Sequence, residues 1–484
     1  MKKNKMSLLS TILTSVCIVV SLETITTTAT IGNSQFFWWI LLLLTFFLPY
    51  CLISGELGST YPSESGMYDW VKRAFGKKMA LRVSWFYWIN FPIWAASLAI
   101  LFSDTVEIIV GGTVDKSILL IFQLVYCFII AFMSRFRPKK EEMFFNLATV
   151  FKGILLVGIG IIGVFSAIKF GTATTYEAVS FIPSFDPASL SLLSVLIFNF
   201  MGFEIVTTMV KDMENPKKQL PMTILIGGIV VMLFYLLPIF GISVAIPVEA
   251  LSSSTGLFDA FRILFAQFGI TGIVQDSIIV IFALMFMYIL VMTIASWSFG
   301  VSSVVRKASL RDRRLRMLTE LNKDKVPVRI SILNAVIAAV ICIVFNFIPS
   351  GGSLFLTCFT ICLMAYLATY ISLFPTFLKL RTLDPDIERP YKVPGNNVVL
   401  LIITIAPFCI LSLAMVTGLF PEFSIEGIKS NLPIIIGFGL CVVLGEIVVF
   451  FKMKKYKKHG LLDNIKDIKE DIKNVITIEK INND

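Results

Sequence analysis

The chain has 484 residues, 56% of them hydrophobic and only 15% charged, with a formal net charge of +10. Soluble domains carry about 25% charged residues, so the composition excludes a soluble enzyme or binding module and describes a polytopic membrane protein. A single histidine, His459, and no Gly-x-x-x-x-Gly-Lys-[Ser/Thr] run remove the usual metal, acid–base and ATP-driven machinery, so no enzyme activity, metal or cofactor is expected.

Twelve apolar stretches lie near 8–30, 36–58, 83–110, 117–134, 144–168, 188–210, 222–246, 276–304, 328–348, 353–379, 397–419 and 432–452. Each is close to the ~20 residues that cross about 30 Å of hydrocarbon. The first is too long for a signal-peptide core, carries Glu23 and lacks a small-residue cleavage site, so it is predicted to be retained. Within it, Ser21-Leu22-Glu23-Thr24-Ile25-Thr26-Thr27-Thr28 places an acid among hydroxyls. Threonine hydroxyls bond to their own helix's carbonyls and soften it. The second span ends near Glu56, beside an interface, where a carboxylate is tolerated and a structural role in holding the following loop is expected. The fifth holds Lys152, the only basic residue within a span; it either snorkels to the interface or serves as a fixed internal charge.

The sixth span contains Phe198-Asn199-Phe200-Met201-Gly202-Phe203-Glu204. A carboxylate there costs about 2.5–3.5 kcal/mol on insertion scales, so it needs a cavity or a partner. Gly202 weakens the helix where backbone groups would have to be freed. Interrupted spans at matching places in two halves point to a transporter's midplane site. Between the seventh and eighth spans, Leu257–Phe265 is predicted as a short amphipathic helix on the outer surface. Trp297 lies mid-span in the eighth, where packing is the plain alternative to a binding role. Cys358 and Cys362 share one face of the tenth, as small apolar packing rather than a metal pair. In the tail, apolar residues from Leu462 to Ile476 recur at helical spacing among charges. The sequence leaves open whether that stripe meets lipid, the cytoplasmic loops or a second copy.

Of the 42 Lys and Arg residues, 37 fall on the side that holds both termini, and only Lys116, Lys169, Arg262 and Lys429 on the other. The positive-inside rule then predicts cytoplasmic termini. The excess charge faces anionic membrane lipids and implies no nucleic acid.

Four segments carry a family resemblance: Gly55–Tyr68 at the end of the second span, the Phe-Met-Gly-Phe-Glu run in the sixth, Asp212–Pro221 after it, and Arg389–Gly395 before the eleventh. In this order they resemble the amino acid–polyamine–organocation family of secondary transporters, from the first span to the twelfth. The resemblance implies an all-α fold in which spans 1–5 (8–168) are repeated upside down by spans 6–10 (188–379). Two further helices (397–452) complete a transporter domain of residues 1–452, with a cytoplasmic tail at 453–484. Helices 1 and 6 would be broken, with substrate between their halves. Half-helix N-termini suit a carboxylate and freed carbonyls an ammonium. Where many members have a Gly-Ser-Gly-type run in helix 1, this chain has Leu22–Thr28. That glycine-free break with a glutamate is similar to the glutamate/γ-aminobutyrate antiporter branch, as are Phe181–Phe185 and Ile294–Trp297.

On this resemblance Glu23, Thr24, Ile25, Thr26, Phe198, Met201, Gly202, Phe203 and Trp297 would bind substrate, with Trp297 stacking on it and Phe198 gating. Glu204 and Lys152 would couple and gate, Lys152 standing where sodium-coupled relatives bind a cation. The expected function is an antiporter in the plasma (inner) membrane that exchanges small-molecule amino acids, glutamate/γ-aminobutyrate-like or other zwitterions, by alternating access. A proton-coupled symporter of neutral or cationic amino acids or polyamines is the alternative. The major-facilitator fold needs no breaks in spans 1 and 6, and a channel needs no occluding aromatic. Oligomeric state is left open.

Overall fold

The structure is a computed structural model that describes residues 7–61, 66–133, 135, 142–173, 177–183, 185–203, 213–247, 250, 256–309, 320–322, 326–347 and 353–458. Its elements among these residues are helices. Besides the short turns Ala178–Phe181, Pro187–Ser191 and Ile425–Ser430, they are in chain order α1 (Leu8–Val19), α2 (Ile25–Ala29), α3 (Ser34–Thr60), α4 (Met67–Val110), α5 (Lys116–Met133), α6 (Glu142–Phe170) and α7 (Leu193–Phe198). There follow α8 (Pro216–Ala245), α9 (Gly256–Gln267), α10 (Ile273–Ser309), α11 (Val328–Asn346), α12 (Leu354–Leu383), α13 (Asn397–Leu419) and α14 (Leu432–Lys458). Glu204 and the rest of the sixth apolar stretch, much of the basic connection after α10, and the tail beyond Lys458 lie outside the described residues.

Ten of these helices are long and apolar enough to cross a membrane. Among the described residues, the first and the sixth apolar stretches do not form such helices. The first is divided into α1 and α2, and the sixth leaves helical geometry after α7. The third differs from its expected start. α4 begins at Met67 rather than near 83, with a kink at Gly76, where φ is +81° and ψ 177°. In α3, Leu43–Phe47 forms a π turn directly before Pro49. Proline has no N–H to give the preceding turn, and its ring crowds the carbonyl four residues back, which the wider turn relieves.

Burial separates centre from periphery. The apolar windows of α4 and α12 are 72% buried, whereas those of α13 and α14 are 28% and 17% buried, the composition of lipid-facing helices. α6 and α8 meet at bare backbone, since a Cβ added at Gly163 would overlap the Gly241 carbonyl. Such small-residue contacts are how helices pack where lipid offers no hydrophobic drive. The amphipathic segment between α8 and α10 forms α9, with Phe258 and Phe261 buried against Phe286 and Phe282 of α10 at ring separations of 5.5 and 4.7 Å.

Candidate functional site

The break between α1 and α2 frees backbone groups that a continuous helix would use internally. Other helices take them up. The Val20 carbonyl accepts from Lys152 Nζ of α6 at 2.7 Å, and the Ser21 N–H donates to the Tyr235 hydroxyl of α8 at 2.7 Å. Lys152 is 6% exposed, so its amine lies inside the protein. Glu23, 5% exposed, accepts from Trp94 Nε1 of α4 at 3.3 Å and interacts electrostatically with Lys152.

Beyond α7, Phe200 and Met201 still donate backwards to Ile197 and Phe198 at 2.9 and 3.0 Å. Gly202 then takes φ +100°, and its N–H donates to the Tyr370 hydroxyl of α12 at 3.1 Å. Glycine adopts that backbone without steric cost. A Cβ here would also stand 2.8 Å from Trp297 Cη2. The two breaks touch through one buried bond, in which the Thr24 hydroxyl donates to Asn199 Oδ1 at 2.7 Å.

A cavity beside this junction is walled by Trp94, Phe198, Trp297, Tyr366, Asn90 and Cys362, among others. Its rings meet edge to face. Trp94 lies 5.7 Å from Trp297 and 6.0 Å from Phe198, and Phe198 lies 6.1 Å from Tyr366. Asn90 Nδ2 donates to the Phe86 and Tyr87 carbonyls of its own helix at 3.0 and 2.8 Å. That leaves its side-chain carbonyl as the group able to accept from a guest. Aromatic rings and the Asn90 amide thus line the cavity, with the Glu23 carboxylate behind Trp94.

Of the residues singled out from the sequence, Phe198 and Trp297 line the cavity. Glu23 and Thr24 sit at the first break and Gly202 at the second, with Ile25 and Met201 buried beside them. Phe203 faces elsewhere, packing 5.5 Å from Phe47 of α3. Glu204 and the Thr26 side chain fall outside the described part. Trp94, Asn90, Tyr366, Asn199, Tyr235 and Tyr370 were not anticipated. A signal existed for the first two, because Tyr87, Asn90, Phe91 and Trp94 share one helical face and include an amide.

Ten membrane-length helices among the described residues define a multi-pass membrane protein. The Amino acid permease family model matches residues 6–444, and the chain belongs to that family of transporters. It is 37% identical over 454 residues to the "Probable agmatine/putrescine antiporter AguD" of Lactococcus lactis subsp. lactis (strain IL1403), covering 93% of this chain and 96% of that protein. It is 23% identical over 446 residues to a glutamate/gamma-aminobutyrate antiporter of the same strain, covering 88% and 86%.

Proposed function

We propose that this permease is an antiporter that exchanges organic amines, of the agmatine and putrescine kind, by alternating access. The observation that carries the reading is Glu23. It occupies the break of the first span, where a carboxylate-bearing substrate would need free amides, and it stands behind the aromatic cavity wall through Trp94. A fixed carboxylate repels a substrate carboxylate and attracts an ammonium. The 37% relative, whose printed name gives agmatine and putrescine, supports the same choice.

In this reading Trp297, Phe198 and Trp94 surround the amine's chain, and Asn90 accepts from one end. Glu23, Thr24, Ile25, Thr26, Met201 and Gly202 shape the junction of the two breaks, while Phe203 packs away from it against Phe47. Lys152 holds the first break closed without sodium, and Glu204 follows the second. The architecture we propose is two inverted five-helix repeats, 8–168 and 188–379, plus two helices in 397–452. Both termini would face the cytoplasm and the protein would lie in the plasma membrane. A second reading, exchange of zwitterions such as glutamate and γ-aminobutyrate, is supported by the 23% relative and by Lys152, whose charge offsets Glu23.

Proteoliposomes preloaded with putrescine and supplied with labelled agmatine, putrescine, arginine, glutamate or γ-aminobutyrate separate the two. Trans-stimulated uptake of the amines, with little uptake of carboxylate-bearing compounds, is the expected result. Preference for glutamate or γ-aminobutyrate overturns it.

A further inference from the structure

Where α3 and α12 end together, two carboxylates are gripped by arginines from distant parts of the chain. Glu56, 2% exposed, accepts from Arg381 Nε at 2.9 Å and from Arg381 Nη2, pairs with Arg389 Nε at 3.2 Å, and accepts the Val393 N–H at 2.7 Å. Asp384 accepts from Arg73 Nε and Nη2 at 2.7 and 3.0 Å and from the Tyr61 hydroxyl at 2.8 Å. Arg389 Nη2 also reaches the Asp384 carbonyl at 2.8 Å. The cluster thus joins the end of α3, the start of α4, the end of α12 and the loop after it.

Ring side chains fill the space between this cluster and the cavity. Down one face of α12, cavity-lining Cys362 and Tyr366 are followed by Tyr370, Phe374 and Phe377, the last three fully buried. Arg381 lies 5.1 Å over the Phe377 ring. α3 contributes Tyr50, 5.6 Å from Tyr370, and Phe46, 6.4 Å from Phe374. The cavity is therefore shut off from this end by packed rings, with the charges bolting the outermost turn.

A buried ion pair adds little stability over well-packed apolar residues, and its best attested use is to fix one arrangement against another. Here the charges sit where four elements must part for this end to open. Each arginine also has a second partner that stays with it. Arg381 donates to the Val393 carbonyl at 3.1 Å and Arg389 to the Asp384 carbonyl. Separation would therefore hydrate one carboxylate at a helix end and strand neither guanidinium.

We propose that Glu56, Arg381 and Arg389 form a releasable latch. It holds this end of the pathway shut, and withdrawal of Glu56 from the two arginines is the step that opens the cavity to this side. The latch rests on the alternating-access reading of the protein.

The test uses native cysteines of the full-length protein in oriented proteoliposomes. A membrane-impermeant cationic methanethiosulfonate is supplied only on the side where Glu56 lies, and modification is read peptide by peptide by mass spectrometry. Cys362 reports the cavity; Cys342, fully buried and outside the cavity lining, reports loss of fold. In Glu56→Gln and Arg389→Met, Cys362 is expected to react about tenfold faster than in the unmodified protein, the factor that about 1.4 kcal/mol makes in an equilibrium, with Cys342 still protected. Unchanged Cys362 reactivity with Cys342 protected overturns the latch and makes the cluster a static clamp. Should Cys342 react as well, Arg389→Lys decides, because it keeps the charge and loses the forked contact. Cys362 must then react faster with Cys342 protected, and an unchanged rate overturns the proposal. Labelling needs no transported substrate, so a protein that exchanges no amine yet shows the expected labelling loses the proposed function and keeps the latch.

Discussion

Lys152 Nζ donates to the Val20 carbonyl oxygen at 2.7 Å, so α6 closes on the exact point where the first span stops being helical. The carbonyl is free because the helix breaks, and the ammonium is tolerable because the carbonyl and the Glu23 charge receive it. Each accounts for the other.

A fixed ammonium at that point should make transport independent of sodium. Initial exchange rates in Na⁺, K⁺ or choline at constant pH are expected to agree, and a steep Na⁺ requirement would refute the role. Lys152→Met should cost exchange tenfold or more. It leaves Glu23 without its cation, and uncompensated buried charges cost roughly 3–5 kcal/mol. Lower thermal stability of the purified variant is the companion measurement.

Gly202→Ala is expected to abolish most exchange. Non-glycine residues at left-handed backbone angles cost about 1–3 kcal/mol, and the new methyl would also press on Trp297. Gly227→Ala offers a comparison at ordinary φ, where the nearest atom is Phe203 Cε1 at 3.1 Å. If Gly202→Ala transports no worse than Gly227→Ala, the backbone argument fails.

The two breaks were legible in the sequence because each violates a strong rule: an acid within a span, or glycine beside an acid. The same logic flagged Lys152. What sequence could not supply was pairing across the chain. Nothing local connects Thr24 to Asn199, 175 residues away, or Gly202 to Tyr370, because those bonds exist only once four helices are packed. Phe203 shows the converse error. It shares the run with Phe198, but five residues turn a helix through more than a full circle, and the chain loses helical geometry between them, so it faces α3. Glu56 was expected to hold the loop that follows it; the partners found for it are in α12 and the loop beyond.

Thr24→Val tests the bond between the breaks. It keeps the shape of the side chain and removes the hydroxyl, leaving Asn199 Oδ1 without that donor. An unsatisfied buried polar group costs about 1–3 kcal/mol. Exchange should fall several-fold, with Thr24→Ser retaining most of it. Equal rates for Val and Ser would show that the bond does not hold the junction.

Asp384 gives a prediction in pH. Burial alone would raise its carboxyl pKa, but the hydrogen bonds from Arg73 and Tyr61 and the nearby guanidinium charges hold it below the ordinary value. A depressed folded pKa contributes stability that is fully present above the ordinary carboxylate value and is lost as pH falls through the folded one. The Asp384 contribution should therefore be constant from pH 8 to about pH 5. The melting difference between wild type and Asp384→Asn should be flat over that window and shrink only in stronger acid. A difference that already shrinks between pH 7 and 5 would contradict the assignment.

Trp297 should set amine affinity rather than the rate of the conformational cycle. Its ring walls the cavity, braced edge-on by Trp94 at 5.7 Å, so it presents a surface already in position. A desolvated cation over such a ring gains about 2 kcal/mol, and Trp297→Leu removes the quadrupole while keeping an apolar side chain. The expected result is a KM for the amine raised roughly ten- to thirtyfold, the equivalent of about 2 kcal/mol, with kcat little changed. Trp297→Phe should fall between, because phenylalanine keeps a weaker π face. A loss confined to kcat would instead mean that Trp297 acts in closing the path, through its contact with Gly202, and that the cation is held elsewhere in the cavity.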